Sequence, residues 1–203
     1  MKIAFIASFP PRACGIATFA QNLMVSIAAG QPEEGPATAL SVIAMNDPGE
    51  QYPYPAAVSF TVRQDHKEDY LAAAAHINAS GAQICVLQHE FGIYGGDSGV
   101  YILSLLHQLK IPFVTTFHTV LKDPSYLQKA IVQEIARLAR GVVVMSRKAV
   151  AFLDNIYEVA PGKIHLIEHG VPEPLPGDYE AAENLLAPFQ GRRILLTFGL
   201  LNR

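Results

Sequence analysis

An α/β fold, with a doubly wound, mainly parallel sheet and helices on both faces, is the architecture that this sequence predicts. Apolar runs of strand length alternate with stretches of helical periodicity, about 25 residues apart. The runs are almost continuously apolar, which is typical of strands covered on both faces. Because right-handed crossovers join such strands into one parallel sheet, the predicted fold is Rossmann-like.

The strands are predicted from short apolar runs, each followed by a polar residue or by glycine. Proline opens one of them at Pro112, a strand position where the missing N–H is tolerated. The predicted strands are residues 3–7, 40–45, 58–62, 84–88, 112–117, 141–145 and 163–167, with one more at 194–199.

The helices are predicted from apolar spacing and from capping residues. After Gly15, apolar side chains recur at the spacing of a helix that buries one stripe. The pair Asp65 and Glu68 fits a capping box for a helix to about residue 78, which Gly81 would end. Further helices are predicted at 99–109 with Ser98 as cap, after Asp123-Pro124, after Ser146, and at 179–186.

This alternation predicts one domain over residues 1–170. Residues 171–193 contain three early prolines and an acidic stretch, and they are expected to form an interdomain linker. The apolar run that begins at Ile194 would be the first strand of a second domain, of which the sequence contains only residues 194–203. We therefore expect the chain to be a fragment of a longer protein.

Composition excludes several classes of function. A net charge of −3 and no Lys/Arg run longer than two residues argue against a nucleic-acid partner. Two cysteines are too few for a disulfide framework and suggest reduced thiols. No apolar run approaches the roughly 18 residues of a membrane span, and Pro10 to Arg12 interrupt the N-terminal run where a signal peptide needs small residues. A soluble, cytoplasmic protein is the expectation.

Chemically active residue types gather after the strands, where ligands bind in an open parallel sheet. The clusters are residues 11–18, 88–99, 115–119, and Ser146 together with 168–170.

The first loop can bind a phosphate, because Gly15 lets backbone approach a ligand and the N–H groups of Ile16 and Ala17 begin a helix. It lacks the GxGxxG and GxxxxGK[ST] patterns, which disfavours dinucleotide oxidoreductases and nucleoside triphosphatases. The alternative, that Gly15 only permits a tight turn, stays open.

His118 lies where side chains face the crevice, and it can hydrogen-bond a sugar hydroxyl or support charge beside a leaving phosphate. The alternative is a structural histidine. His89 and Glu90 either bind substrate or brace the glycine-rich loop, and His169 beside Glu168 either braces the domain junction or contacts ligand. No spacing supports a metal site built from these residues.

Six segments, in order, resemble the amino-terminal half of glycosyltransferases with two facing Rossmann-like domains, the GT-B fold. They are PPRACGIATF, LQHEFGIYGG, TTFHTV, VVVMS, IEHGV and LLTFGLLNR. The chain looks like glycosyltransferase family 4, the large retaining family that includes sucrose synthases, trehalose synthases and many bacterial mannosyl- and glucosyltransferases.

This resemblance implies metal-independent transfer of a hexose, with retention, from a nucleotide-sugar such as GDP-mannose or UDP-glucose. It implies no further cofactor, and an acceptor that is a sugar, polyol or lipid-linked glycan, held mostly by this domain. Peripheral membrane contact and the oligomeric state are left open.

The resemblance also implies residue roles. Gly15 and Ile16 would reach the donor phosphates, His118 would contact the donor sugar near the reacting carbon, and Ser146, His169 and Gly170 would border the cleft. The sequence departs from the family pattern at Cys14, where many members have glycine, and at Glu168, where proline is frequent.

In the family, the basic pair for the diphosphate and the paired glutamates belong to the second, donor-binding domain. We therefore expect these 203 residues alone to transfer no sugar. The competing hypotheses are a non-catalytic sugar- or phosphate-binding module of the same fold, and a GT-B nucleotide-sugar epimerase with Glu90 as the acid/base candidate.

Overall fold

The computed structural model describes residues 1–31, 37–170, 177 and 179–195. Its contacts separate two compact units, Met1–Glu168 and His169–Arg203. Of the predicted strand 194–199, only Ile194 and Leu195 are among the described residues, and neither lies in a strand. Residues 171–176 of the predicted linker also lie outside the described residues.

The first unit contains a seven-stranded sheet in the order β3-β2-β1-β4-β5-β6-β7, and each neighbouring pair is parallel. The strands are β1 Lys2–Ala7, β2 Ala39–Asn46, β3 Val58–Arg63, β4 Ile84–His89, β5 Phe113–Phe117, β6 Gly141–Val144 and β7 Ile164–Leu166. The doubly wound parallel sheet is thereby confirmed, and the strands differ from the predicted runs by one or two residues at their ends.

Five helices connect these strands, and a sixth belongs to the second unit. They are α1 Gly15–Ala29, α2 Lys67–Ala79, α3 Ile102–Leu106, α4 Tyr126–Leu138, α5 Arg147–Asn155 and α6 Tyr179–Leu186. Right-handed crossovers place α1 on one face of the sheet, because β2 lies to the left of β1, and place α2 to α5 on the other.

Alternate residues of β1 serve two separate hydrophobic cores. Phe5 packs with Ala20 and Met24 of α1, whereas Ile6 belongs to the larger core formed with α2 to α5. Each of these strand side chains is fully buried. The continuous apolar run therefore reflects burial on both faces, as the sequence predicts.

Two helix starts differ from the predicted ones because neighbouring side chains take the capping role. Helix α4 is capped by Ser125, whose hydroxyl accepts a hydrogen bond from the Gln128 backbone N–H at 3.2 Å. The Gln128 side-chain oxygen in turn accepts from the Ser125 backbone N–H, so Asp123 is not the cap. Helix α2 begins after His66, and the Asp65 carboxylate lies 2.7 Å from the His66 ring instead of capping.

The predicted cap at Ser98 is also wrong, whereas the one at Ser146 is confirmed. Ser98 has φ +55° and donates to the Asp97 carboxylate at 3.1 Å, and α3 begins only at Ile102. The Ser146 hydroxyl accepts the Ala149 N–H at 3.1 Å and begins α5.

Candidate functional site

The strand order brings the predicted site segments to one edge of the sheet. β1, β4, β5 and β6 are consecutive neighbours and run in the same direction. The segments after them, 11–18, 88–99, 115–119 and the turn at Ser146, therefore follow the same edge, where ligands bind in such sheets.

His118 is held by contacts that include ones from β4 and from α1. Its backbone N–H donates to the His89 carbonyl at 3.0 Å, and its Nε2 lies 2.8 Å from the Oε1 atom of Gln88. Phe19 of α1 packs edge-to-face on the imidazole, with ring centroids 4.7 Å apart. The imidazole is partly buried, so these contacts restrict its orientation while part of the residue stays exposed.

Gln88 is a functional candidate to which sequence reasoning assigned no role. Its side chain is fully buried, and its amide oxygen accepts the hydrogen bond from His118, which places the ring proton on Nε2. Among the described residues, the Gln88 amide nitrogen has no hydrogen-bond partner. A polar residue at the buried end of an apolar strand was the available signal, because burial of an amide is costly unless it serves a neighbour.

His89 lies inside the protein rather than at the crevice. It is the last residue of β4 and is fully buried, and neither ring nitrogen has a hydrogen-bond partner among the described residues. Its ring is surrounded by Phe91, Tyr94 and Phe117, with centroids 5.1, 5.9 and 5.2 Å away. Burial, and secondarily the charge of His118, lower the pKa of His89 from 6.5 to about 3, so the ring is neutral.

The geometry of His89 thus favours the alternative in which this residue braces the glycine-rich loop and does not bind substrate. What His89 offers the site is its backbone carbonyl, which positions His118. A substrate-binding role for the His89 side chain stays a prediction.

Glu90 connects the segment after β4 to the segment after β5. One carboxylate oxygen accepts the Phe91 N–H at 3.0 Å, and the other accepts the Thr119 hydroxyl at 2.5 Å. Both oxygens are therefore used to hold the loop next to the residue that follows His118. This arrangement favours the bracing alternative for Glu90 over direct work on a substrate.

Gly15 is the first residue of α1, and nothing in the fold requires glycine there. A Cβ atom at this position would meet no heavy atom within 4 Å, and Gly15 is not among the glycines with positive φ. The side chain of the N-cap residue, Cys14, makes no capping hydrogen bond. The tight-turn alternative is therefore weakened, and open space remains beside the backbone of Gly15.

Two glycines of the segment after β4, Gly95 and Gly99, are explained by packing. A Cβ on Gly95 would lie 1.8 Å from the Gln64 carbonyl oxygen, and one on Gly99, which has φ +78°, would lie 2.8 Å from the Phe91 carbonyl oxygen. These contacts leave no room for a side chain. At these two positions glycine serves the fold rather than the approach of a phosphate.

Arg12 anchors the loop between β1 and α1, although the sequence alone indicated no role for it. The side chain is buried, its Nη1 donates to the Met45 carbonyl at 2.7 Å, and its Nη2 pairs with the Asp47 carboxylate at 2.5 Å. Its charge is therefore committed to the end of β2. Arg12 ties the loop that carries Gly15 to the neighbouring strand.

The remaining predicted site residues are Ser146, His169 and Gly170. Ser146 is exposed at the start of α5, with its hydroxyl occupied as the helix cap. His169 and Gly170 belong to the second unit, where the His169 Nδ1 lies 2.8 Å from the Gly170 carbonyl oxygen. The structure thus brings Gly15, Ile16 and His118 together at one edge, through Phe19 of α1.

Across residues 1–31, 37–170 and 179–195, no three His, Cys, Asp or Glu side chains gather in a way that could hold a metal ion. Within the same described ranges, no helix combines the length and the apolar character that crossing a bilayer requires.

The fold is similar to that of a solved glycosyltransferase from Rickettsia africae ESF-5. The TM-score is 0.54 and the sequence identity is 15%, over 93% of this chain and 49% of that chain. The chain thus spans about half the length of that protein, and at this identity the likeness shows the fold alone. No curated protein matches the sequence.

The family comparison is more specific. The sequence profile described as Glycosyltransferase Family 4 matches residues 39–173, which is more than half of the chain. This range contains β2 to β7 with the His118 site, and the match agrees with the family that the six sequence segments resemble. The chain therefore belongs to glycosyltransferase family 4.

Proposed function

We propose that the chain is the acceptor-side domain of a retaining, metal-independent glycosyltransferase that moves a hexose from a nucleotide-sugar to an acceptor sugar, polyol or lipid-linked glycan. Family membership supports the reaction class. One observation supports the site most directly. The buried amide of Gln88 holds His118 in one orientation, next to the helix that Gly15 begins.

The roles of these residues follow from their chemistry. With the ring proton on Nε2 and directed to Gln88, Nδ1 is the accepting nitrogen of His118, which suits a hydrogen bond from a donor-sugar hydroxyl. The N–H groups at the start of α1 present the positive end of a helix to the donor phosphates, and the open space at Gly15 admits them.

The chain's own contribution is positioning and part of the charge stabilisation. Arg12, the cation of the loop between β1 and α1, is already paired with Asp47. Stabilisation of the leaving diphosphate then needs groups from outside the arrangement described here. We accordingly propose that the 203 residues alone bind but do not transfer.

We propose the cytoplasm as the compartment. Cys14 and Cys85 are both free thiols, and burial raises the pKa of Cys85 to about 12, which keeps it protonated and unreactive. Free thiols agree with a reducing compartment.

The test is a transfer assay with the full-length gene product, using GDP-mannose and UDP-glucose with a panel of sugar, polyol and lipid-linked acceptors. We expect release of the nucleoside diphosphate and a glycoside with the donor's anomeric configuration, read by NMR, and unchanged rates in a metal chelator. Donor binding without turnover would indicate the non-catalytic module. Conversion of the nucleotide-sugar without transfer would indicate the epimerase.

A further inference from the structure

A cavity of about 410 Å³ opens at the carboxyl ends of β2 and β3. This is the same sheet edge as the His118 site, but on the other side of β1 in the strand order. The volume falls in the range of small-molecule sites, roughly 300 to 1,000 Å³. Its lining combines polar and apolar surface, and its polar side chains include Glu50, Gln51, Tyr52, Thr61, Arg63 and Asp69.

The charges of the cavity disfavour an anionic ligand. The Arg63 guanidinium donates from Nε and Nη2 to the two oxygens of Asp69, at 2.8 Å each, so its charge is neutralised inside the cavity. The same hydrogen bonds hold the pKa of Asp69 below its ordinary value, which keeps the pair ionised. Glu50 then leaves the lining with one net negative charge.

The same groups offer many hydrogen bonds to a neutral ligand. The Arg63 side chain is 56% exposed, and its remaining N–H groups can donate while the carboxylate of Asp69 still has lone pairs to accept. Thr61 adds an exposed hydroxyl, and Tyr52 adds an aromatic surface held in place by its hydroxyl, which donates to Asp47 at 2.7 Å. Alternating donors and acceptors beside an aromatic ring suit a molecule with several hydroxyl groups.

The wall of this cavity is connected to the loop that carries Gly15. Asp47 accepts from Tyr52 with one carboxylate oxygen and from Arg12 with the other. Arg12 in turn anchors the loop between β1 and α1 to the carbonyl of Met45. One carboxylate therefore fixes both the cavity wall and the predicted donor loop, which places the two sites in a single framework.

We propose that this cavity binds a neutral polyhydroxylated ligand, a sugar or polyol without phosphate or carboxylate, and that this ligand is the acceptor. The second clause rests on the proposed glycosyltransferase function, whereas the binding chemistry does not. Because the lining is negative overall, a phosphorylated analogue of the same sugar is discriminated against.

The test is an NMR titration of this 203-residue chain, labelled with ¹⁵N. Glucose, mannose and myo-inositol are the neutral probes, and glucose 6-phosphate is the matched anion. We expect at least one neutral probe to shift the signals of Gly49, Thr61 and the Arg63 side chain saturably, and glucose 6-phosphate to bind about tenfold more weakly than glucose.

Two variants test the electrostatic argument. Glu50→Gln removes the excess negative charge without touching the Arg63–Asp69 pair, so it should narrow the discrimination against glucose 6-phosphate. Asp154→Asn, at an exposed position of α5, is the control and should leave the ratio of the glucose and glucose 6-phosphate affinities unchanged.

Three outcomes would overturn the inference. In the first, glucose 6-phosphate binds as tightly as glucose, and in the second, no neutral probe shifts the signals of the cavity residues. In the third, the ratio of the glucose and glucose 6-phosphate affinities is the same in Glu50→Gln and in the wild type. Failure of the proposed function looks different. Neutral probes would then still bind the cavity, but the full-length product would transfer no sugar. Conversely, transfer with an acceptor KM that Thr61→Val leaves unchanged would retain the function and reject this cavity as the acceptor site.

Discussion

The Nε2 atom of His118 lies 2.8 Å from the Oε1 atom of Gln88, and the Gln88 side chain is fully buried. A buried amide that meets an imidazole at the surface of the crevice decides which ring nitrogen carries the proton. The Gln88 amide nitrogen has no hydrogen-bond partner among the described residues, so its burial costs free energy. The hydrogen bond that the amide oxygen makes to His118 is what the protein gains from placing an amide there. This arrangement makes Gln88 a positioning residue for His118.

Replacement of Gln88 by leucine should release His118 from one tautomer. We expect the ¹⁵N spectrum of the Gln88→Leu chain to show His118 as a mixture of tautomers, and transfer by the full-length protein to fall about tenfold or more in kcat. Gln108→Leu, at an exposed position, is the matched control.

Gln88→Glu provides the conservative comparison. A carboxylate still accepts from His118 Nε2 and should restore both the tautomer and much of the transfer rate. If His118 keeps the Nε2-protonated form in Gln88→Leu, then the amide is not what positions it.

His118 itself should carry part of the transition-state stabilisation. His118→Ala in the full-length protein should reduce the transfer rate by about a hundredfold or more, because a partly exposed imidazole held at a fixed backbone position after β5 is removed. His107, a partly exposed histidine paired with Glu134, offers the control His107→Ala. Rates near wild type for His118→Ala would return this histidine to a structural role.

The strand and helix pattern could be predicted because each apolar run is long, and burial on both faces leaves a strong signal. The caps of α2 and α4 were misplaced because acidic residues and prolines near a helix start suit several positions, and the final choice depends on neighbours. Ser125 with Gln128 makes a reciprocal pair that outcompetes Asp123.

The site was only partly predictable for a related reason. Sequence places His89 and His118 alike, as histidines after apolar runs, but β4 extends one residue further than its apolar run and takes His89 into the core. Arg12 was equally hidden, because its partners at Met45 and Asp47 are distant in sequence and meet it only through the parallel pairing of β1 with β2.

Gly15 offers a substitution that should affect ligand without affecting the fold. Because a Cβ there meets nothing within 4 Å, Gly15→Val should change the free energy of unfolding by about 0.5 kcal/mol or less, while crowding the donor phosphates and weakening donor affinity. Donor affinity is measured by calorimetry on the full-length protein, and stability by urea unfolding.

Two other glycines calibrate this experiment. Gly162 is exposed and also has nothing within 4 Å, so Gly162→Val should change neither stability nor donor affinity. Gly95→Ala should destabilise the protein by several kcal/mol, since its Cβ would overlap the Gln64 carbonyl. Unchanged donor affinity in Gly15→Val would remove the phosphate role from this loop.

The buried ring of His89 should make the protein lose stability in mild acid. Its pKa is about 3 in the folded state, against 6.5 for an exposed histidine, so between these values the unfolded chain binds a proton that the folded chain does not. Stability is therefore complete above about pH 6.5 and falls by about 1.4 kcal/mol for each pH unit below it. His89→Leu, which is close in volume and has no ring nitrogens, should remove this share of the pH dependence, whereas His107→Leu should retain it. Urea unfolding of the three proteins from about pH 7 to about pH 5 measures the slopes, and equal slopes for wild type and His89→Leu would show that His89 is not buried as a neutral ring.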